Sequence, residues 1–385
     1  MLLDSLSFAL QSSGTLSDHD LAIVGAGFAG LACARAAASR GLSTIVLDRK
    51  PEPGAKPHTT GLLVREVADD LRPPPAIVRR IDRIRLYAPN LSHVDLTSPG
   101  YYFLATDTGA MMRWLANQAR EAGARLALHT EVRGIDRSSL RHKVWPCGVR
   151  ANYVVGADGP RSRVARAAGL GVNRLFLVGL EAHFTGVRGV DPRCLHCFLD
   201  SHLAPGYIAW AVPGVHGVQI GLACRQPHRP DLRGLVDHLS TLFDFREARE
   251  VSRRGGLIPV GGPVRPLARD RVLLIGDAAG LVSPLTAGGI HTALSSGRLA
   301  GHAIADHLQE GQPEPGRFLE AQVPRFHSKR LLRSLFDLRP SNALYDAVLS
   351  SRTFRALAAT LFFHHRGLFS PAAWKEVANV LFRAA

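Results

Sequence analysis

LAIVGAGFAGLACARAAASRGLSTIVLDRK, residues 21–50, carries the information from which the rest of the chain can be read. Its first four residues form a short apolar run with the length and composition of a buried strand. The run passes directly into Gly25, Gly27 and Gly30 in the spacing G-x-G-x-x-G, with Phe28 and Ala29 between the last two glycines. An Ala-rich segment to about residue 40 reads as a helix, with Gly41 as its C-terminal stop. A second apolar run, 43–47, ends on Asp48, 18 residues past Gly30, and Arg49 follows it. Gly25 permits a tight turn, Gly27 lets a pyrophosphate approach the backbone, and Gly30 lets helix and strand pack closely. A carboxylate at Asp48 can accept from a ribose hydroxyl. Strand, glycine turn, helix, strand and acid together predict a Rossmann-like α/β unit that binds an adenine dinucleotide. The pattern does not choose between NAD and FAD.

Two later stretches share this strand-to-loop-to-helix character. In RVLLIGDAAGLVSPLTAGGIHTALSSGRLA, residues 271–300, an apolar strand is turned by Gly276 and Asp277 into a small-residue loop that leads to Pro284. A helix is expected from Thr286, a candidate cap, with Gly288, Gly289 and Ile290 in its opening turn. The glycines leave the first amides bare, and bare amides at a helix start favour negative charge. In NYVVGADGPRSRVARAAGL, residues 152–170, a strand ends in Gly156-Ala157-Asp158-Gly159 ahead of a basic helix. Small residues and a carboxylate at a strand's end suit the close approach of a cofactor.

The chain has 385 residues, more than one core usually fills, so two intertwined domains are expected. Apolar residues make up 46% and charged residues 21%, as in a soluble globular protein, and no apolar run approaches the roughly 20 residues a membrane helix needs. The formal net charge is +15, yet only five of the 47 basic residues are Lys. Such usage marks a GC-rich genome more than a binding function, the alternative being attraction to an anionic membrane surface. The Arg residues are scattered and no nucleic-acid motif accompanies them, so nucleic acid is excluded as a partner. Five cysteines, with no basic residue before Arg35 to begin a secretory signal, point to a reducing, cytoplasmic setting, with peripheral membrane contact left open. Cys194-Leu-His-Cys197 has no second ligand pair, and residues three apart in a strand face opposite sides, so no metal is expected.

Outside these stretches, residues 1–18 are expected to be flexible, 51–61 a loop, and 62–71 a short helix. Residues 81–87 and 92–97 read as a hairpin around Pro89-Asn90, and 107–123 as an amphipathic helix packing on Met111, Leu115 and Ala119. Residues 177–223 read as several antiparallel strands, with Trp210 in a core or pocket wall. The region from 313 onward reads as helical, its apolar run 356–363 packing on the core or facing lipid.

The order GAGFAG, GADGPRS and IGDAAGLVSPLTAGGI resembles FAD-dependent oxidoreductases of the class that includes aromatic hydroxylases, halogenases and geranylgeranyl reductases. The likeness is strongest to the geranylgeranyl reductase family, over about residues 20–305. SPLTAGGIHTALSSGRLAG is similar to that family's NPLTGEGI-type segment. Ile208-Ala-Trp210-Ala-Val212-Pro213, with Gly221 eight residues on, is similar to its Y-x-W-x-F-P…G-x-G signature. Trp210 and Pro213 match, while Ile208, Val212 and Ala223 stand for Tyr, Phe and the last Gly. Lys56-Pro57-His58 resembles a K-P-C-G segment over the flavin, with His58 at the Cys position.

The resemblance implies that Gly25, Gly27, Gly30, Asp48 and Arg49 hold the ADP half of FAD, that Asp158 lies by the pyrophosphate, and that Asp277 binds a ribityl hydroxyl. It places Gly288 and Gly289 at the flavin pyrimidine and Trp210, Ile208 and Val212 in the substrate pocket. The architecture it implies is an FAD-binding domain (19–61, 106–172 and 265–305) with an inserted, mainly antiparallel β-sheet substrate domain (62–105 and 173–264). A C-terminal helical region, 306–385, completes it. The expected reaction is reduction of C=C bonds in a hydrophobic, isoprenoid-like substrate, with hydride from flavin N5, NAD(P)H as a candidate donor and His58 as the proton donor. A monooxygenase and a non-redox cyclase are the alternatives. A halogenase ranks lower, because Ile208 replaces the first Trp of its W-x-W-x-I-P segment.

Overall fold

Leu21, Ala22 and Ile23 are wholly buried, as a parallel strand covered on both faces requires. They belong to the strand Ser17–Val24, which pairs in parallel with Val149–Gly156 on one side and Thr44–Leu47 on the other. The computed structural model describes residues 17–138, 141–337, 341–349 and 351–363. Of the residues expected to be flexible, Ser17 and Asp18 pair with Val149 and Arg150, and residues 1–16 lie outside the described residues. The eight-stranded sheet runs in the order Ala268–Arg269, Val272–Leu274, Val149–Gly156, Ser17–Val24, Thr44–Leu47, Arg125–Ala127, with His142–Trp145 and Gly134–Asp136 branching from its centre.

The helix Phe28–Ala38 covers this sheet and is itself crossed by the helix Ile290–Glu310. Their contact is backbone on backbone. A Cβ on Gly297 would lie 2.3 Å from the Ala29 carbonyl oxygen, and one on Gly301 would lie 2.6 Å from that of Cys33. Two glycines four apart share one helix face, so the pair opens a groove for the Ala-rich helix. This seam brings the beginnings of both helices to the same end of the sheet.

A seven-stranded sheet runs Arg249–Pro259, Phe176–Thr185, Val218–Arg225, Ala209–Pro213, Cys194–Phe198, Arg83–Tyr87, His93–Leu96. It is antiparallel except where Cys194–Phe198 meets Arg83–Tyr87 in parallel. The strands within 177–223 pair antiparallel with one another as expected, and the parallel contact is made with an upstream strand whose direction no hairpin dictates. Arg83–Tyr87 and His93–Leu96 form the expected hairpin. A three-stranded sheet, Leu62–Val64, Phe103–Thr106 and Val78–Ile81, lies beside it. The expected helix at 62–71 thus begins only at Arg65, after three residues paired as strand. Asp107 caps the helix Thr108–Glu121, whose Met111, Leu115 and Ala119 are buried.

Helices Pro315–Gln322, His327–Asp337, Asn342–Val348 and Arg352–Phe363 follow. Phe363 is 2% exposed and meets Tyr101 edge-on at 5.4 Å, so the last of these packs on the second core. Residues 364–385, including His364-His365, lie outside the described residues. All five cysteines are free, and no metal-binding group occurs among the described residues. No described helix is long and apolar enough to cross a membrane.

Candidate active site

A continuous cavity of about 1350 Å³ extends from the glycine loop to the seven-stranded sheet. Single-ligand pockets measure about 300–1,000 Å³, so this one has room for two molecules end to end.

Its polar end is built by the glycines. Gly25 has φ +109, and a Cβ there would sit 2.3 Å from the Ala157 carbonyl oxygen. A Cβ on Gly30 would sit 1.9 Å from the Gly25 oxygen, whereas one on Gly27 would meet nothing within 4 Å. Gly25 and Gly30 are therefore packing glycines, and Gly27 is the one that faces open space. Gly27 also begins the helix Phe28–Ala38, which has no side-chain cap and no acid in its first turn. Asp48 lies across the loop, its Oδ2 accepting from the Ala26 amide at 2.6 Å and its Oδ1 from that of Lys50 at 2.8 Å. Each oxygen keeps a second lone pair for a hydroxyl. Arg49 is exposed on the cavity wall. Asp158 turns one oxygen to the start of the helix Arg163–Ala168, accepting from the amide of Arg163 at 2.6 Å, while its Oδ1 is buried without a partner.

The helix Ile290–Glu310 has its cap at Gly289, three residues later than the expected Thr286, and no side chain caps it. Thr286 does not cap it. The Thr286 hydroxyl bonds Ser283 Oγ at 2.9 Å, and Ala287 takes a left-handed turn at φ +50. A Gly-Gly pair is poor helix nucleus, which moves the start beyond both glycines. The physical consequence drawn from the sequence survives, since no side chain covers the first amides. Asp277 stands beside this helix start, with Oδ1 3.4 Å from where a Gly289 Cβ would be. No donor among the described residues reaches its carboxylate, and desolvation pushes its pKa up to about 6. Gly288, Gly289 and Ile290 line the cavity with it. Gly276 and Pro284 are buried behind that wall and do not line it; Gly276 has φ +55 and donates its amide to Ser296 Oγ.

Two uncapped helix starts, an unpartnered Asp158 oxygen, a donor-starved Asp277 and an open Gly27 are the complement of a ligand with phosphates and hydroxyls. FAD fits this set, its diphosphate suiting the first helix and its hydroxyls the two carboxylates.

At the other end the wall is apolar, with Leu86, Phe103, Leu199, Leu357 and Phe362 joining Ile208, Trp210 and Val212. The helix Arg352–Phe363 therefore lines the cavity as well as packing on the core, a role its apolar run did not disclose. Between the two ends lies His58, exposed to the cavity, with Nδ1 2.9 Å from the Gly255 carbonyl oxygen. A carbonyl only accepts, so Nδ1 carries the hydrogen and Nε2 is the atom free to exchange a proton. The sequence reading missed Glu181, which is 4% exposed and receives bonds from Thr60, Trp210 and Arg254. One acid in the apolar strand FLVGLEAHFT was the signal that marked it.

Comparison with known proteins agrees with this geometry. Residues 18–316 match the family described as FAD binding domain. Digeranylgeranylglycerophospholipid reductase 2 of Methanosphaera stadtmanae is 31% identical over 76% of this chain and 79% of its own length. The same-named protein of Methanopyrus kandleri is 31% identical over 89% of this chain and 90% of its own. Among solved structures, a geranylgeranyl bacteriochlorophyll reductase-like protein from Thermoplasma acidophilum superposes with a TM-score of 0.81, covering 95% of this chain and 98% of its own at 20% identity, a likeness of fold. The chain is an FAD-dependent oxidoreductase and belongs to the geranylgeranyl reductase family.

Proposed function

We propose that the protein reduces C=C bonds of an extended isoprenoid substrate, lipid-linked as in its curated relatives. The observation that supports this most is one cavity of about 1350 Å³ lined at one end by the glycine-rich loop and at the other by apolar side chains. When bound, FAD would supply hydride-transfer chemistry. Gly25, Gly27, Asp48 and Asp158 would hold its ADP half and Asp277 its polyol. The amides at Gly289 and Ile290 would favour negative charge on the reduced cofactor by about 0.3–2 kcal/mol. The apolar lobe excludes water from the alkene and orients the chain. We assign to His58, whose Nδ1 is held on the Gly255 carbonyl, the delivery of a proton from Nε2 to the second alkene carbon.

A nicotinamide nucleotide is the proposed electron donor. The proposed division keeps the segments 62–105 and 173–264 as the substrate domain and the glycine-rich segments as the FAD domain. The enzyme is proposed to be cytoplasmic and to meet its substrate at a membrane surface, where Leu331, 67% exposed, is suited to contact lipid.

The reading is tested by anaerobic incubation of the flavin-loaded protein with a reductant and a geranylgeranyl lipid, followed by mass spectrometry. A gain of two hydrogens per reduced bond is expected. Substrate-stimulated oxygen uptake with an oxygenated product would replace it with the monooxygenase reading.

A further inference from the structure

Four neighbouring strands of the seven-stranded sheet carry one lateral row of residues. Arg254 stands opposite Glu181, Glu181 opposite Gly221, and Gly221 opposite Trp210. Residues directly opposite one another share a face of the sheet. The glycine lets the two ends of the row meet. A Cβ on Gly221 would lie 2.7 Å from Trp210 Cζ2 and 2.9 Å from Glu181 Cβ, so any side chain there would block the path of the indole. Across this gap Trp210 Nε1 donates to Glu181 Oε2 at 2.7 Å. The same oxygen accepts from the Thr60 hydroxyl at 2.7 Å, and Oε1 accepts from Arg254 Nε at 2.6 Å. Arg254 is steadied in turn by Gln219 Oε1 at 2.7 Å.

A carboxylate buried to this degree is stable only with its lone pairs filled, and three segments of the chain supply the donors. Thr60 belongs to the loop that carries His58, and His58 is itself docked on Gly255, next to Arg254. Trp210 forms part of the wall of the apolar lobe. Glu181 thus joins the loop that carries His58 to the wall of the apolar lobe.

We propose that Glu181 is a positioning residue for double-bond selection, a role that rests on the reductase reading above. It holds the Trp210 indole where an advancing hydrocarbon chain stops, and through Thr60 it keeps the His58 loop in register with that stop. Gly221 serves the same end by leaving the indole a passage. Loss of either residue shifts the chain relative to the reacting position and changes which double bonds are reduced.

The test uses full-length, flavin-loaded Glu181→Gln, Gly221→Ala and Thr60→Val proteins beside the wild type. With a geranylgeranyl lipid, Glu181→Gln and Gly221→Ala are expected to bind FAD normally, to lower kcat/KM about 10–100-fold and to redistribute the reduced positions read by fragmentation mass spectrometry. Cleavage of the Ala55–Lys56 bond by a protease that cuts on the amino side of lysine reads the loop without any substrate, the bond after Lys56 being to Pro57 and resistant. It is expected to quicken about 2–10-fold in Thr60→Val and Glu181→Gln, the worth of one hydrogen bond, and to stay at the wild-type rate in Gly221→Ala. A wild-type product pattern from a folded Glu181→Gln or Gly221→Ala protein overturns the role in double-bond selection. Wild-type cleavage of Thr60→Val overturns the tie to the loop. If Glu181→Gln does not fold, the other two variants decide. If the wild type reduces no isoprenoid, the reductase reading fails, while the protease arm still tells whether the tie exists.

Discussion

Asp277 offers the sharpest test of the polar end, because the protein alone and the protein with FAD should respond in opposite directions. Its carboxylate faces the cavity with no donor among the described residues, and desolvation raises its pKa from 3.8 to about 6. A rise of about two units at 1.36 kcal/mol each, trimmed for solvent that enters the cavity, gives a penalty of about 2–3 kcal/mol in the flavin-free protein. The sign follows from the proton count. The folded protein holds a proton that the unfolded chain has released between pH 3.8 and about 6, so stability falls as pH rises through that window. The penalty is complete above about pH 6 and absent below pH 3.8. Asp277→Asn removes the charge while keeping the shape. Thermal unfolding of flavin-stripped protein at pH 7 should therefore show the variant stabilised by about 2–3 kcal/mol, with the gain vanishing near pH 4. FAD binding, followed by quenching of flavin fluorescence, should weaken about 10–100-fold, since charge-assisted bonds to hydroxyls become neutral ones. A variant less stable than wild type at pH 7, or equally stabilised at pH 4, refutes the desolvation argument. Unchanged affinity refutes the placement of the polyol.

The helix seam gives a second prediction: Gly297→Leu drives a side chain into the Ala29 carbonyl and should cost about 3 kcal/mol or more in urea unfolding, with loss of bound flavin. His58→Ala should retain FAD but lose about 10²–10⁴-fold in kcat; wild-type turnover would remove it from the mechanism. Leu361→Trp fills part of the apolar lobe and should raise KM for a geranylgeranyl chain while sparing a short prenyl substrate, as paired steady-state assays would show. Equal effects on both chain lengths would mean that the lobe does not hold the distal hydrocarbon.

The FAD end was legible in the chain because its determinants are local. Gly25, Gly27 and Gly30 act within one strand–turn–helix, and the constraint each meets, a left-handed φ, an open approach or a close backbone, lies within a few residues or on the adjoining strand. The same locality made the bare amides at 288–290 readable even though the helix starts later than its pattern suggested. Local pattern failed where a competing local preference was subtle, as at Thr286, which bonds Ser283 instead of capping, and at 62–64, which pairs as strand because Phe103–Thr106 is there to receive it.

What sequence alone determined was the α/β architecture and, through the likeness of three ordered motifs to a known family, the FAD cofactor. Strand register decided the rest. That Glu181, Gly221 and Trp210 form one row follows from how strands far apart in the chain align, and no short-range pattern encodes that alignment. Likewise Phe362 and Leu357 look in sequence like any buried helix face, and only the docking of that helix against the second core makes them a wall of the cavity. Burial creates the demand for partners, and the folded chain chooses which residues meet it.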